Sequence, residues 1–421
     1  MDEAVAGPPP VGPDALRADV RAWVDANWDA DLSLVDWRRR LVAARYAAPS
    51  WPERWYGRGL PAWADEVVTT ELIDAGAVGT PIGSGMTLAA PTILAHGSDP
   101  LRERFLLPTL TGEATWCQLF SEPGAGSDLA GLTTSAERDG DAWVVNGQKV
   151  WNTSAHHADL GMLLARTDWN APKHRGITYF VVPMHQRGVD VRPLRQMNNH
   201  ASFNEVFLTD VRIPRDNVVG DAGDGWRAAL TTLAFERRFG GMSRPCYSDA
   251  EGRALAEARA EADAHFETYK WYPQRAGRPD LVVERARATG TASDPSVRQE
   301  IARLLARNES SRWTAARSRA ALASGRTPGP EGSIGKLATS EVARLAATVH
   351  SMMTGAAALL TGPDSPLNGI IAEILVSVPA QSIAGGTDEI QRNILGEKQL
   401  GLPREPSTDL GRPFRELPRN A

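Results

Sequence analysis

Trp116-Cys117-Gln118-Leu119-Phe120-Ser121-Glu122-Pro123-Gly124-Ala125-Gly126-Ser127-Asp128 decides how the rest of this chain is read. An apolar start gives way to glycines and hydroxyls, a mix that lets backbone amides approach a phosphate or a planar ring. The glycines form neither a Walker A loop, which needs Gly-Lys-Ser/Thr, nor a Gly-x-Gly-x-x-Gly dinucleotide turn. Alone, the stretch reads as a surface loop. A second run of the same character answers it near the C-terminus: Gln381-Ser382-Ile383-Ala384-Gly385-Gly386-Thr387-Asp388-Glu389-Ile390-Gln391-Arg392-Asn393.

Between and around the two runs the hydrophobic period changes twice. Upstream, Leu16, Val20, Trp23 and Val24 recur at helical spacing, and further helices fit 37–47, 61–74, 86–96 and 100–110. Residues 14–113 therefore read as an N-terminal helical domain, behind a Pro/Gly-rich tail over 1–13 expected to be disordered. From 114 the period shifts toward two. Trp143-Val144-Val145-Asn146-Gly147-Gln148-Lys149-Val150-Trp151 predicts a hairpin turning at Asn146-Gly147. Strands over 160–166, 177–182, 189–194 and 203–213 complete a small β-barrel or sandwich over 114–221. Helical spacing returns from 225 to about 269, then a Pro-, Gly- and Arg-rich stretch over 272–294 reads as a long loop. Helices over 295–324 and 329–360, and a final one within 380–400, make a C-terminal bundle over 222–402 before a Pro-rich tail at 403–421. The class is α+β, helices then strands then helices.

Composition narrows the partners. The 421 residues carry a net charge of −5, and only five of the 46 basic residues are lysines, so there is no basic field for nucleic acid. Two cysteines, Cys117 and Cys246, cannot make a disulfide framework, which suits a reducing cytoplasm. The acidic, Pro-rich start lacks the pattern of a signal peptide. No uninterrupted apolar run approaches the ~20 residues that span a bilayer. His156-His157, expected on a strand with rings on opposite faces, does not suggest a metal site. No Gly-x-Ser-x-Gly elbow suggests a hydrolase.

The two glycine runs, in this order and with β-rich sequence after the first, resemble those of the acyl-CoA dehydrogenase family over about 37–406. That resemblance implies the three-part α+β fold, a C-terminal bundle packed into a dimer or tetramer core, FAD, an acyl-CoA substrate and an electron-transfer flavoprotein as electron acceptor. It assigns Phe120, Ser121 and Ser127 to FAD, with Ser127 also touching the CoA part of the substrate. Trp151 matches the tryptophan packed on the flavin ring, although a tryptophan on a strand is more often core. Thr153 matches the hydroxyl near flavin N5, Thr387 a further FAD contact, and Glu389 an adenine-side contact. The N–H of Gly385 matches the donor to the thioester carbonyl.

The base comes from the same resemblance. Removing an α-proton from a thioester needs a carboxylate in a dry pocket that raises its pKa. Many members place a glutamate immediately before the Gly-Thr of the second run, where this chain has Gly385. Others place it on the helix opening the C-terminal domain, and there the chain reads Leu233-Ala234-Phe235-Glu236-Arg237-Arg238. Glu236 is thus the candidate base and Arg237 a substrate-binding neighbour. Considered only as a residue type, Glu236 is a solvated helix glutamate.

Two departures keep alternatives open. The family's Arg-x-x-Phe-Gly run, which reaches a neighbouring subunit's FAD, is missing from 275–294, and the later helix ends Met352-Met353-Thr354-Gly355 without the usual polar residue. The chain could be a homo-oligomer, the catalytic half of an α2β2 tetramer, or a non-catalytic subunit that completes a partner's site. A flavin oxidase or monooxygenase on the same fold is the third reading.

Overall fold

The computed structural model describes residues 12–236, 244–323, 331–407, 409 and 411–418. Helix α1 (Pro13–Asn27) starts with proline in its first turn and buries Leu16, Val20 and Val24 along one stripe. Helix α2 (Leu34–Ala43) is capped by Ser33, whose hydroxyl accepts from the Asp36 N–H. It carries Trp37, fully buried, whose indole N–H donates to the Val78 carbonyl at 2.6 Å. Helices α3 (Trp63–Asp74), α4 (Ala90–His96) and α5 (Asp99–Thr111) follow. A π-helical turn at Gly85–Ala89 leads into α4.

The middle of the chain supplies β1 (Trp116–Leu119), β2 (Ser135–Asp139), β3 (Ala142–Lys149), β4 (Leu160–Arg166), β5 (Ile177–Pro183), β6 (Val189–Leu194) and β7 (Phe203–Pro214). They form one mixed sheet in the order β1-β4-β2-β3-β7-β6, with β5 on β4. Because β4 pairs with β1, β2 and β5, the sheet curls around its own core of Leu163, Phe180, Val206 and Val211.

The hairpin expectation is corrected. Asn146-Gly147 lies inside β3, which pairs with β7 on both sides of a bulge between Val145 and Gly147. The turn falls instead at Gly140-Asp141, where β2 and β3 meet and Gly140 has φ 58°. Gly147 is there for space: a Cβ would stand 2.4 Å from the Thr134 hydroxyl.

The C-terminal part begins with α6 (Gly225–Glu236) and α7 (Arg253–Glu267). The single helix expected over 225–269 is interrupted, with residues 244–252 non-helical. Pro245 breaks helical bonding, and a Cβ at Gly252 would meet that of Ala30 at 2.5 Å. The expected loop over 272–294 is also corrected: it holds α8 (Tyr272–Arg275) and α9 (Val282–Ala288). Val282 and Ala286, four apart, are buried beside Val349, and that apolar pair outweighs the surrounding Pro and Gly. The long helices α10 (Pro295–Ala323) and α11 (Glu331–Thr354) precede three shorter ones, α12 (Ile370–Ser377), α13 (Pro379–Ile383) and α14 (Asp388–Lys398).

The stretch Pro366–Lys398 is long and apolar enough on average to suggest a membrane span. Its helices are cut at Gly369, Pro379 and Gly385-Gly386, and the longest has 11 residues, short of the ~20 a crossing needs.

One core positions the site. Phe120, Leu129, Ala130, Tyr179, Ala228 and Ala229 pack together, with Leu233 and Phe235 partly buried against them. The first glycine run, β5 and the helix carrying Glu236 therefore share one apolar foundation.

Candidate functional site

The first run is a tight loop pinned from below. Glu122 and Ala125 exchange backbone hydrogen bonds at 3.0 Å each. The Glu122 carboxylate, 6% exposed, takes the Lys149 ammonium at 2.8 Å and the N–H groups of Thr133 and Thr134 at 2.6 and 2.9 Å. Lys149, at the end of β3, is fully buried and also donates to the Phe120 carbonyl at 3.1 Å. Burial pushes the Glu122 carboxyl up, but Lys149 and the surrounding donors outweigh it and hold the group at about 2. Burial depresses the Lys149 ammonium, against the pull of Glu122.

The same strand end delivers Trp151. Val150 N–H donates to the Ser121 carbonyl at 2.9 Å, so the strand exit lies alongside the glycine run. Trp151 has φ 63° and its side chain is 55% exposed. A bulky residue in the left-handed region with its ring in the open is an arrangement that costs ~1–3 kcal/mol and clusters at functional sites. Asn152 behind it is fixed by paired backbone bonds to Asn204, and its Nδ2 donates to the Gln118 carbonyl at 2.8 Å.

The second run turns into the N-terminus of α14. Gly385 and Gly386 have φ 68° and 84°. Thr387 caps the helix, its hydroxyl oxygen accepting from Ile390 N–H, which leaves its proton to donate outward. Buried Asp388 is held by Lys336 and Arg344 at 2.7 Å each, and its carboxyl lies below the usual range because these hydrogen bonds overcome its desolvation. Gln391 donates to the Gly385 carbonyl at 2.9 Å from a fully buried side chain. A Cβ at Gly386 would lie 2.7 Å from that Gln391 nitrogen. Gly386→Ala is expected to lower stability by ~1–2 kcal/mol, read as the midpoint of urea unfolding, because it adds left-handed strain to that collision.

Glu236 closes the set. Its Oε1 lies 3.8 Å from where a Cβ of Gly385 would stand, so a carboxylate from α6 reaches the vacant side of the second run. Tyr272 of α8 is close enough for the Glu236 charge to raise its hydroxyl pKa, though burial is the larger cause. Aromatic edges continue from there: Tyr272 to Trp271 at 5.0 Å, Trp271 to Phe203 at 6.1 Å, and Phe203 to Trp151 at 5.6 Å. A relay of rings thus leads from Tyr272, within reach of the Glu236 charge, to Trp151.

The other predicted residues fall in different places. Ser121 is half-buried beside Val150, Thr153 is half-buried, and Ser127 is exposed. Phe120 is buried edge-on to Tyr179 at 5.7 Å, so its ring belongs to the core. Glu389 is 75% exposed beside Arg392. Arg237 lies outside the described residues. His156 and His157 sit in a 3-10 turn with rings 3.9 Å apart, so they are not on a strand with opposite faces, as expected. The sequence gives no role to the Glu122–Lys149 pair, to Tyr272, or to Gln391, which it only places beside Thr387 and Glu389. For the first pair the usable signal was a glutamate inside a glycine loop and the scarcity of lysine.

These groups fit a flavin. The open Trp151 face offers a flat apolar wall, and the hydroxyls of Ser127 and Thr153 have no partner among the described residues. Two left-handed glycines clear the backbone for close approach.

Comparison with known proteins bears on the family and the fold. The acyl-CoA dehydrogenase N-terminal, middle and C-terminal domain descriptions match residues 14–113, 117–211 and 280–400. The acyl-CoA dehydrogenase IpdE1 of Mycobacterium tuberculosis is 34% identical over 93% of this chain and 98% of its own length. FadE34 of the same organism is 37% identical over 92% of this chain, which spans only 49% of FadE34. Among solved structures, the Tcur3481-Tcur3483 steroid ACAD aligns with TM-score 0.64 at 26% identity, over 96% of this chain and all of the other. The ChsE4-ChsE5 complex from Mycobacterium tuberculosis aligns with TM-score 0.62 at 26% identity, over 95% and 99%.

Proposed function

The chain belongs to the acyl-CoA dehydrogenase family, and from that premise we propose that it oxidises an acyl-CoA thioester to the trans-2-enoyl-CoA, with FAD resident and Glu236 as base. The observation that carries this reading is the approach of Glu236 Oε1 to within 3.8 Å of the Cβ position of Gly385. The side chain absent from the second run is replaced by one arriving from α6.

Trp151, Thr153 and the second glycine run would hold FAD, which would supply the two-electron acceptor that an α,β-dehydrogenation needs. The protein's own part is positional and acid–base. The Gly385 N–H donates to the thioester carbonyl, drawing charge off Cα, and Glu236 takes the α-proton. Ser127 holds the CoA side, a role that the family resemblance extends to Arg237. Trp151, Thr153, Thr387 and Glu389 orient the cofactor, with main-chain groups of Phe120 and Ser121. Electrons leave to an electron-transfer flavoprotein in the cytoplasm.

The test is a visible spectrum of the purified chain followed by anaerobic bleaching with a panel of acyl-CoAs, a steroid-derived thioester first because a structural relative bears that description. Flavin near one per chain and bleaching by at least one thioester are expected; a flavin-loaded protein that no thioester bleaches would overturn the reading. Trp151→Ala should weaken flavin retention about tenfold, measured as Kd by fluorescence titration.

A second reading has its own observation. The stretch 275–294, which lacks an Arg-x-x-Phe-Gly run, holds α9, and the ChsE4-ChsE5 structure is described as a complex. A complementing subunit would be colourless alone and yellow only with its partner.

A further inference from the structure

The residues after α14 return to the sheet instead of trailing away. Phe414 is 3% exposed and Leu417 6%. Phe414 N–H donates to the Ala171 carbonyl and Arg415 N–H to the Trp169 carbonyl, both at 3.0 Å, so the segment pairs with the loop joining β4 to β5. The Phe414 ring covers the Arg166 guanidinium, whose central carbon stands 3.4 Å from the ring centre.

Arg166 is fully buried at the end of β4, and its donors point back toward the first glycine run. Nη2 reaches the Ala130 carbonyl at 2.7 Å, Nε that of Leu132 at 3.2 Å, and Nη1 that of Lys173 at 3.2 Å. Ala130 sits in the 3-10 turn Leu129–Gly131 that directly follows Ser127 and Asp128. Lys173 makes a second link: its ammonium takes Asp128 at 2.5 Å and Asp409 at 3.5 Å, from a side chain only 14% exposed. Two connections therefore run from the chain's last residues to the loop bearing Ser127. A buried cation covered by an aromatic face is worth more than an exposed one, and its hydrogen bonds strengthen as water is excluded.

The geometry points to Asp409 and residues 411–417 as a clamp that positions the Ser127–Asp128 loop, with Phe414 acting through Arg166 and Lys173 acting through Asp128. Both are positioning residues. The clamp is an intramolecular contact and stands on these distances alone. Its consequence for substrate rests on the proposed function: the loop meets the CoA side of the thioester, so the clamp governs KM and leaves the chemical step alone.

The experiment uses full-length Phe414→Ala and Lys173→Met. Amide exchange over residues 121–131 is expected to quicken about tenfold in each, the size of losing one covered cation or one half-buried ion pair. With an acyl-CoA that bleaches the wild type, KM should rise about tenfold while the bleaching rate at saturation stays within about twofold. Phe414→Trp and Lys173→Arg should restore both readouts. Unchanged exchange over 121–131 in a folded variant overturns the clamp, as does a fall in the saturating rate that matches the rise in KM. If Phe414→Ala does not fold, Lys173→Met decides alone. Should no thioester bleach the wild type, the enzymatic reading falls while the exchange measurement still judges the clamp.

Discussion

Glu236→Gln is expected to retain the fold and the flavin and to slow anaerobic bleaching by an acyl-CoA about 10^3–10^4-fold, the upper range for removing a general base. The amide keeps the shape of the side chain, which is half-buried at the end of α6, so neither core packing nor the turn at Gly385 has reason to move. What disappears is the acceptor for the α-proton. Gly385 has no side chain to substitute, and the N–H proposed to meet the thioester carbonyl would polarise the substrate without removing anything from it. Stopped-flow absorbance of the flavin band checks this. A variant that bleaches within tenfold of wild type would mean that the proton leaves to some other group, and Tyr272 would be the first to examine.

Lys149→Met is expected to be the most destabilising single change at the site, by about 3–5 kcal/mol in urea unfolding. Methionine fills the space, but Glu122 then lies buried with its strongest partner gone, and deleting one half of a buried pair exposes the desolvation cost of the other. The pH dependence should change with it. In the native protein the Glu122 carboxyl falls from 4.5 to about 2 on folding. A carboxyl depressed in this way adds stability in full above about 4.5 and loses it as pH drops through about 2. Without the ammonium, burial dominates and the carboxyl prefers to stay protonated, so the contribution changes sign and the variant should gain relative stability as pH is lowered from neutral. Unfolding midpoints for both proteins between neutral pH and mild acid test it; parallel curves would show that the pair does not hold the loop.

The architecture was legible because its carriers are local. Leu16, Val20 and Val24 mark α1 by spacing, and strands β4 to β7 follow from apolar runs bounded by polar residues. What misled was chemistry that changes meaning with tertiary context. Asn146-Gly147 has the best hairpin dipeptide in the chain, yet the glycine is demanded by Thr134 crossing beside it, and the turn goes to Gly140-Asp141. The 272–294 stretch looks irregular by composition and folds because Val282 and Ala286 find α11. The site divides the same way. Residues carried by the two glycine runs could be listed from their order, whereas the groups bracing them could not. Lys149, Gln391 and Arg166 act across 27, 6 and 36 positions through single contacts, with no periodic signature. Glu236 stands between these cases. Its residue type argues for solvent, and only its arrival at Gly385 gives it another meaning.

Helix α7 has a consequence for how the molecule comes apart. Its Leu255 and Ala258 complete the core laid down by α1, α2 and α3, and its Glu261 grips the buried guanidinium of Arg38 with bonds of 2.6 and 2.9 Å. A segment some two hundred positions downstream is thus the keystone of the first hundred residues. The amino-terminal helices cannot finish their interior until α7, in the middle of the 421-residue chain, has been made, which ties their completion during synthesis to a segment far downstream.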